Sequence, residues 1–241
     1  MWKDIWSNKG KDLASVNFTL TDLIYANGYE SSGFTSQSWV KYFQYVANTT
    51  QINEGKKSIL EIGCGSGAAL KTLSFINDKL EIYGIDYSQN LIKLAKRAIK
   101  NGNFVCDEAI NIDSIFAKEN GGGGFNFIFS NSAFHYFPNE EYVFSVIKKA
   151  YSLLTKGGTL ALLDLNDIKT KDIYNAIRKG NMSEAEYHAK YAGLNHLFFD
   201  KCKIFDFINS LGFEKIIVEN QHIKGYINNE CRFNVFALKK R

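Results

Sequence analysis

The sequence predicts an α/β fold in which a doubly wound, mostly parallel sheet carries helices on both faces. Three observations predict it. Short apolar runs bounded by glycine or acids recur along the chain, at Ser58–Ile62, Leu80–Asp86, Phe125–Phe129 and Thr159–Leu165, as strands buried on both faces require. Between them lie stretches with apolar residues at helical spacing. The first run passes directly into Gly63-Cys64-Gly65-Ser66-Gly67, whose glycines let the backbone turn tightly and approach a ligand with no Cβ in the way.

In chain order, residues 1–50 form a helical lid rich in aromatics. Trp39, Phe43 and Val46, at helical spacing, pack this lid onto the sheet, whereas Tyr25 and Tyr29, beside the flexible loop Gly28–Phe34, are its substrate-facing part. The first strand ends at Glu61-Ile62, and Ala68–Phe75 is the first core helix, its N-terminus offering free N–H groups and a positive dipole end. The second strand closes on Asp86, and Ser88 caps a helix over Gln89–Lys100 with Leu91, Ile92 and Leu94 on one side and Lys93, Lys96 and Arg97 on the other. Asn103–Asp107 follows as the third strand. Gly121–Gly124 makes a mobile loop tip before the fourth strand, which runs into the polar-aromatic loop Ser130–Phe137. A helix over Glu140–Leu154 and a turn at Lys156-Gly157-Gly158 lead into the fifth strand. Asn166–Asp200 is an insertion that caps the strand ends with helices. Asp206–Leu211 is helical, and Phe213–Glu219 pairs antiparallel with Arg232–Lys239. One domain thus spans 1–241: a lid (1–50), a cofactor core (58–165), a substrate cap (166–200) and a terminal helix and strand pair (201–241).

The glycine turn suits two cofactor classes, because Gly63 to Ala68 also fits the G-x-G-x-x-G/A fingerprint of dinucleotide binding. Glu61 separates them. A dinucleotide fold keeps an apolar residue there, and a carboxylate suits a ligand with a cationic end. The pattern Ile59-Leu60-Glu61-Ile62-Gly63-Cys64-Gly65-Ser66-Gly67 resembles motif I of the class I S-adenosylmethionine-dependent methyltransferases. That resemblance covers Ser58 to Leu165 and implies a seven-stranded sheet of order 3-2-1-4-5-7-6. It implies S-adenosyl-L-methionine as cofactor, S-adenosyl-L-homocysteine as product, and no metal. The cofactor contacts it implies are Glu61, Gly63, Cys64, Gly65 and Gly67 at the first strand; Asp86 on the ribose, with Tyr87 and Leu91 near the adenine; Cys106, Asp107 and Glu108 at the third strand, where Asp107 takes the adenine amino group and Glu108 a backbone contact; and Ser130 and Asn131 at the methionine end.

The Ser130–Tyr136 loop resembles the S-N-S-x-x-H-x segment of small-molecule methyltransferases, and the N-P-P-Y sequence of enzymes acting on exocyclic or amide nitrogen is absent from it. In-line displacement at a sulfonium methyl depends mainly on alignment. An oxygen acceptor of high pKa also needs a base, and His135 is the candidate for it, with a pocket-wall role as the alternative. Tyr25, Tyr29, Tyr136, Arg178, His188 and His196 are the candidate acceptor contacts. The N-terminal Trp2-to-Gly10 pattern and the aromatic lid are similar to methyltransferases of bacterial surface-glycan pathways, whose acceptors are sugars, nucleotide-linked sugars or phosphate-type decorations. A carboxylate acceptor, as in the trans-aconitate methyltransferase type, is the alternative within this chemistry. An NAD-dependent oxidoreductase and a non-catalytic methyltransferase-like subunit are the alternatives outside it.

Composition fits these readings. A formal charge of +4 over 241 residues, with bases scattered along helix faces, lacks the clustered stripe of a nucleic-acid binder. No apolar run reaches membrane-spanning length and the first residues lack a secretion-signal pattern, so a cytoplasmic location without membrane contact is expected. Cys64, Cys106, Cys202 and Cys231 show neither metal-ligand nor disulfide spacing. The expected partner is a small-molecule acceptor, and the chain is a monomer or a homodimer.

Overall fold

A computed structural model describes residues 2–13, 17–29, 33–117 and 124–241. The centre of the predicted lid loop, residues 30–32, and glycines 121–123 of the predicted loop tip lie outside the described residues. Seven strands form one sheet: β1 (Lys57–Ile62), β2 (Leu80–Asp86), β3 (Asn103–Cys106), β4 (Phe125–Asn131), β5 (Leu154–Asn166), β6 (Phe213–Asn220) and β7 (Arg232–Lys239). Their order is β3-β2-β1-β4-β5-β7-β6. Strands β1 to β5 run parallel, and β7 is antiparallel to both of its neighbours. The expected fold is thus the observed one.

Successive side chains of a strand point to opposite faces, and the core divides accordingly. Ile59, Phe127, Phe129, Ala161 and Leu163 face one apolar layer, while Leu60, Ile62, Ile128, Leu160 and Leu162 face the other. Helices α3 (Ser36–Thr49), α4 (Ala68–Ile76) and α5 (Gln89–Ala98) cover the first face; α6 (Ile112–Phe116), α7 (Glu140–Leu153) and α10 (Lys201–Ser210) cover the second. The caps are local and readable. The side chains of Thr35, Ser88 and Asn139 accept hydrogen bonds from the first-turn N–H groups of α3, α5 and α7.

Two N-terminal helices, α1 (Trp2–Asn8) and α2 (Leu20–Ala26), pack against α5 and α4. The hydroxyl of Ser88 donates to the carbonyl of Trp6 at 2.9 Å and the amide of Asn90 to that of Ser7 at 2.6 Å, holding α1 against α5. Trp39, Phe43 and Val46 of α3 are fully buried, as their spacing predicts. The insertion after β5 holds α8 (Lys171–Lys179) and α9 (Glu184–Tyr191).

Two boundaries differ from expectation. Lys156-Gly157-Gly158 does not precede the fifth strand but lies within it, since β5 begins at Leu154 opposite Phe125 and bulges before Thr159 meets Phe127. Gly157 has φ +72° there, a backbone state that glycine adopts without steric cost. Helix α10 starts at Lys201, because the carboxylate of Asp200 accepts from the N–H groups of Cys202 and Lys203 and caps it early.

Trp39 joins α3 to α4, with its Nε1 donating to Thr72 Oγ1 at 3.0 Å in a fully buried setting. Trp39→Ala is expected to lower unfolding free energy by about 3–5 kcal/mol in urea denaturation, as for other buried tryptophans; a loss below about 1 kcal/mol would mean that the lid is not part of the cooperative core.

Candidate active site

Strand β1 sits at the middle of the sheet and its chain must leave between β2 and β4. Gly63, Gly65 and Gly67 all have positive φ. A Cβ on Gly63 would stand 2.4 Å from Cβ of Ala133, and one on Gly65 would stand 2.4 Å from Oδ1 of Asn27. The loop therefore tolerates no side chain at either position. The N–H groups of Gly63 to Gly67 are engaged within the protein, whereas the first-turn N–H groups of α4, which the sequence leads one to expect free, receive no side-chain cap. Gly63 and Cys64 donate to the carbonyl of Ile85 at 2.8 and 3.0 Å, Gly65 to Asp86 Oδ2 at 2.9 Å, Ser66 to Asn27 Oδ1 at 2.9 Å and Gly67 to the carbonyl of Cys64 at 2.9 Å. A pyrophosphate seated on the loop itself would find those donors already engaged.

A cavity of ≈ 280 Å³ opens beyond the carboxyl ends of β1, β2 and β4, the place where open α/β sheets bind ligands. Of the sequence-predicted cofactor residues, Gly63, Gly65, Asp86, Tyr87, Leu91, Asp107, Glu108 and Asn131 line it, and so do Tyr29 and Tyr136. Glu61, Cys64, Gly67, Cys106 and Ser130 are not in its wall. Cys64 and Gly67 serve the turn itself, Gly67 as the N-cap of α4. Cys106 Sγ lies 3.4 Å from the carbonyl of Tyr87.

The carboxylates have distinct environments. Asp86 accepts from Gly65 N and, through Oδ1, from Ser88 N at 2.8 Å, yet burial outweighs these bonds and lifts its pKa to about 6. Glu61 is buried, with Oε2 lacking any partner, and burial followed by the charge of Asp86 raises its pKa well above the ordinary range. Asp107 Oδ1 accepts from Glu108 N at 2.7 Å and from Asn111 Nδ2 at 2.9 Å. The backbone N–H of Glu108 is thus engaged, and its side chain meets Lys3 of α1.

A second, more polar cavity of ≈ 180 Å³ adjoins the first, sharing Asn27, Tyr29, Ser132 and Tyr136 with it and adding Tyr174, Tyr226, Asn228 and Arg232. Behind its wall is a buried network. The hydroxyls of Tyr29 and Tyr226 donate to Asp164 Oδ2 at 3.2 and 3.0 Å, and Asn131 Nδ2 donates to the Tyr29 hydroxyl at 3.0 Å. Ser132 and Asp164 both hold positive φ, a strained state for such residues that clusters at functional sites.

His135 lies outside both walls. Its ring is fully buried, and Nδ1 faces Arg232 Nη1 at 3.0 Å. A guanidinium only donates, so Nδ1 accepts and the ring proton sits on Nε2, which has no partner. Burial, then Arg232, His196 and Arg178, hold its pKa well below the usual value. The ring holds no spare lone pair for an acceptor proton. Arg178, His188 and His196 line a third hollow against α8 and α9. There Arg178 donates to the carbonyl of Leu194 and stacks 3.9 Å from the Tyr191 ring, and His196 Nδ1 meets the Tyr174 hydroxyl at 2.6 Å. Tyr25 is 40% exposed and lines neither cavity.

Sequence reasoning missed Lys3, Asn27, Ser132, Tyr142, Tyr174 and Arg232. Ser132 leaves a trace in the S-N-S-x-x-H-x segment and Arg232 as a charge opening a mostly apolar strand. Among the described residues no group of three or more His, Cys, Asp or Glu side chains could hold a metal ion, and no helix is long and apolar enough to cross a membrane.

For His135, nitrogen NMR should find the neutral Nε2–H form from pH 8 down to pH 5. The sign follows from the depressed pKa: protonation begins only below the ordinary histidine range. Titration near 6.5 would sink the Arg232–His135 assignment.

Residues 60–160 match the family model described as a methyltransferase domain. Among curated proteins, the chain is 26% identical over 186 residues to O-methyltransferase 3 of Dictyostelium discoideum, covering 74% of this chain and 41% of that protein. The chain thus spans less than half of that relative. Among solved structures it resembles magnesium protoporphyrin IX methyltransferase from Synechocystis PCC 6803 with bound S-adenosylhomocysteine, with TM-score 0.64 and 14% identity over 99% of this chain and 98% of that one. It also resembles a S-adenosylmethionine-dependent methyltransferase from Archaeoglobus fulgidus, with TM-score 0.60 and 13% identity over 82% and 93% of the two chains. The sheet order is that of the Rossmann-like methyltransferase fold seen in these structures, and residues 60–160 match a methyltransferase domain.

Proposed function

We propose that this chain transfers a methyl group from S-adenosylmethionine to an oxygen of a small polar metabolite, such as a sugar, a nucleotide-linked sugar or a phosphate-type decoration in a bacterial surface-glycan pathway. The observation that carries the reading is a set of orphaned buried oxygens. Among the described residues, Glu61 Oε2, Ser130 Oγ and Asn131 Oδ1 are all buried without a partner at the adjoining ends of β1 and β4, Asn131 in the cavity wall and the other two outside it. Buried polar atoms are seldom left so, and an ammonium with its three N–H donors suits them.

The residues present fit the cofactor. Asp86 would take the ribose hydroxyls, the free oxygen of Asp107 the adenine amino group, Leu91 the adenine face, and Glu61 with Asn131 the ammonium. The sulfonium supplies an electrophilic methyl group when bound. The chain itself supplies alignment: Trp6 of α1 and Tyr136, both in the cavity wall, meet edge to face at 5.1 Å. Apart from the carboxylates Asp86, Asp107 and Glu108 on the cofactor side, the described walls of the two cavities hold no carboxylate or histidine, and His135 is turned away to Arg232. Oxygens already ionised at neutral pH, those of phosphates and carboxylates, therefore fit the site better than an alcohol. The engaged amides of the glycine loop weigh against a dinucleotide.

Calorimetric titration with S-adenosylmethionine, S-adenosylhomocysteine and NAD tests the reading. Micromolar binding of the two sulfur compounds and none of NAD is expected, and binding of NAD alone would overturn it. Asp86→Ala should weaken binding by about 1–3 kcal/mol, the loss of charge-assisted hydrogen bonds.

The pH dependence has a definite sign. The ribose hydroxyls favour the ionised carboxylate, and free Asp86 titrates at about 6, so affinity for S-adenosylhomocysteine should rise from pH 5 to pH 7 and then level off. Asp86→Asn should flatten that rise. A flat wild-type profile would remove Asp86 from the ribose.

A further inference from the structure

We propose that the second cavity is the acceptor chamber and that it recognises a carboxylate group of the acceptor through the Nε–Nη2 edge of Arg232. The proposal rests on the methyl-transfer reading above and names the acceptor class within it.

Arg232 opens β7 and is 4% exposed. A guanidinium carries five N–H donors and is always charged. Both hydrogen bonds that Arg232 makes come from Nη1, to His135 Nδ1 and to the carbonyl of Asp164, each at 3.0 Å. The Asp164 carboxylate stands 3.8 Å from the same Nη1, and its oxygens are occupied by Tyr29, Tyr226 and Gln221. Among the described residues, Nε is buried with no acceptor at all. The side of the guanidinium that remains is the fork whose two parallel N–H groups match the two oxygens of a carboxylate.

Charge and position decide the group and its place. Arg232 is the one cationic side chain in the described wall of this chamber, and Asp164 stands behind it. One cation already facing one carboxylate favours a singly charged ligand over a dianionic phosphate. Tyr136, Tyr174 and Tyr226 bring hydroxyl groups to the same wall, so an acid with further oxygens has partners there. The chamber shares four wall residues with the cofactor cavity. An acid anchored on Arg232 is thereby held next to the end of the cavity where β4 presents Asn131.

The test uses the whole chain saturated with S-adenosylhomocysteine and titrated with benzoate, with benzamide of the same shape and no charge, and with phenyl phosphate. Benzoate is expected to bind at least about tenfold tighter than either. Arg232→Gln should erase that preference while S-adenosylhomocysteine still binds. Should Arg232→Gln not fold, Asn228→Asp keeps the test open, because it places a carboxylate on the partly exposed side of the chamber and should weaken benzoate about tenfold. Equal binding of benzoate and benzamide, a preference that survives Arg232→Gln, or unchanged benzoate affinity in Asn228→Asp would overturn the assignment. Tighter phenyl phosphate would overturn the choice of carboxylate. Failure of S-adenosylhomocysteine itself to bind is a separate result, which overturns the methyl-transfer reading and this proposal with it.

Discussion

The carboxylate of Asp86 ties together the two loops on which the site is built. One oxygen accepts from Gly65 in the loop after β1, and the other from Ser88 at the start of α5. With the Ile85 carbonyl holding Gly63 and Cys64, these bonds fix how the central strand leaves the sheet and leave no rotational freedom in the turn. The cavity floor, the N-terminus of α4 and the start of α5 inherit their positions from that junction. Its cost is a carboxylate in a poorly hydrated place, visible as the raised pKa of Asp86.

A second buried charge organises the other half of the site. Asp164 at the end of β5 and Arg232 at the start of β7 face each other from adjacent antiparallel strands, with Tyr29 of the lid and Tyr226 of the last loop donating to Asp164. Burying such a pair is unfavourable unless hydrogen bonds satisfy the remaining lone pairs and protons. Here Asp164 is well satisfied and Arg232 is not. Through the Tyr29 hydroxyl the network also ties the segment after α2 to the end of β5.

Much of the cofactor half was legible in the chain. Strands end in acids or glycine, so Glu61, Asp86 and Asp107 could be placed at the edge of the sheet from their position after apolar runs, and Ser88 as a cap from its place before a helical pattern. Finer contacts were not. Whether Glu108 N–H faces a ligand depends on where the Asp107 side chain turns, and it turns back to accept from Glu108. The bulge of β5 at Gly157 depends on how β5 matches β4, a register that a glycine pair does not specify.

The second cavity was least legible, because its residues come from the end of α2, the loop after β4, α8 and the segment leading into β7, distant stretches with no common spacing. His135 shows the difference. Its place after β4 is encoded by a local pattern, but the direction of its ring is set by Arg232, 97 residues away. The sequence by itself determined the strand order's underlying pattern, the glycine turn and the acids at strand ends, since these follow from local periodicity and steric freedom. Only the tertiary structure decided which buried oxygens lack partners among the described residues, which histidine lost its lone pair and which arginine kept an unpaired Nε, since hydrogen-bond satisfaction depends on groups that the fold brings together from far along the chain.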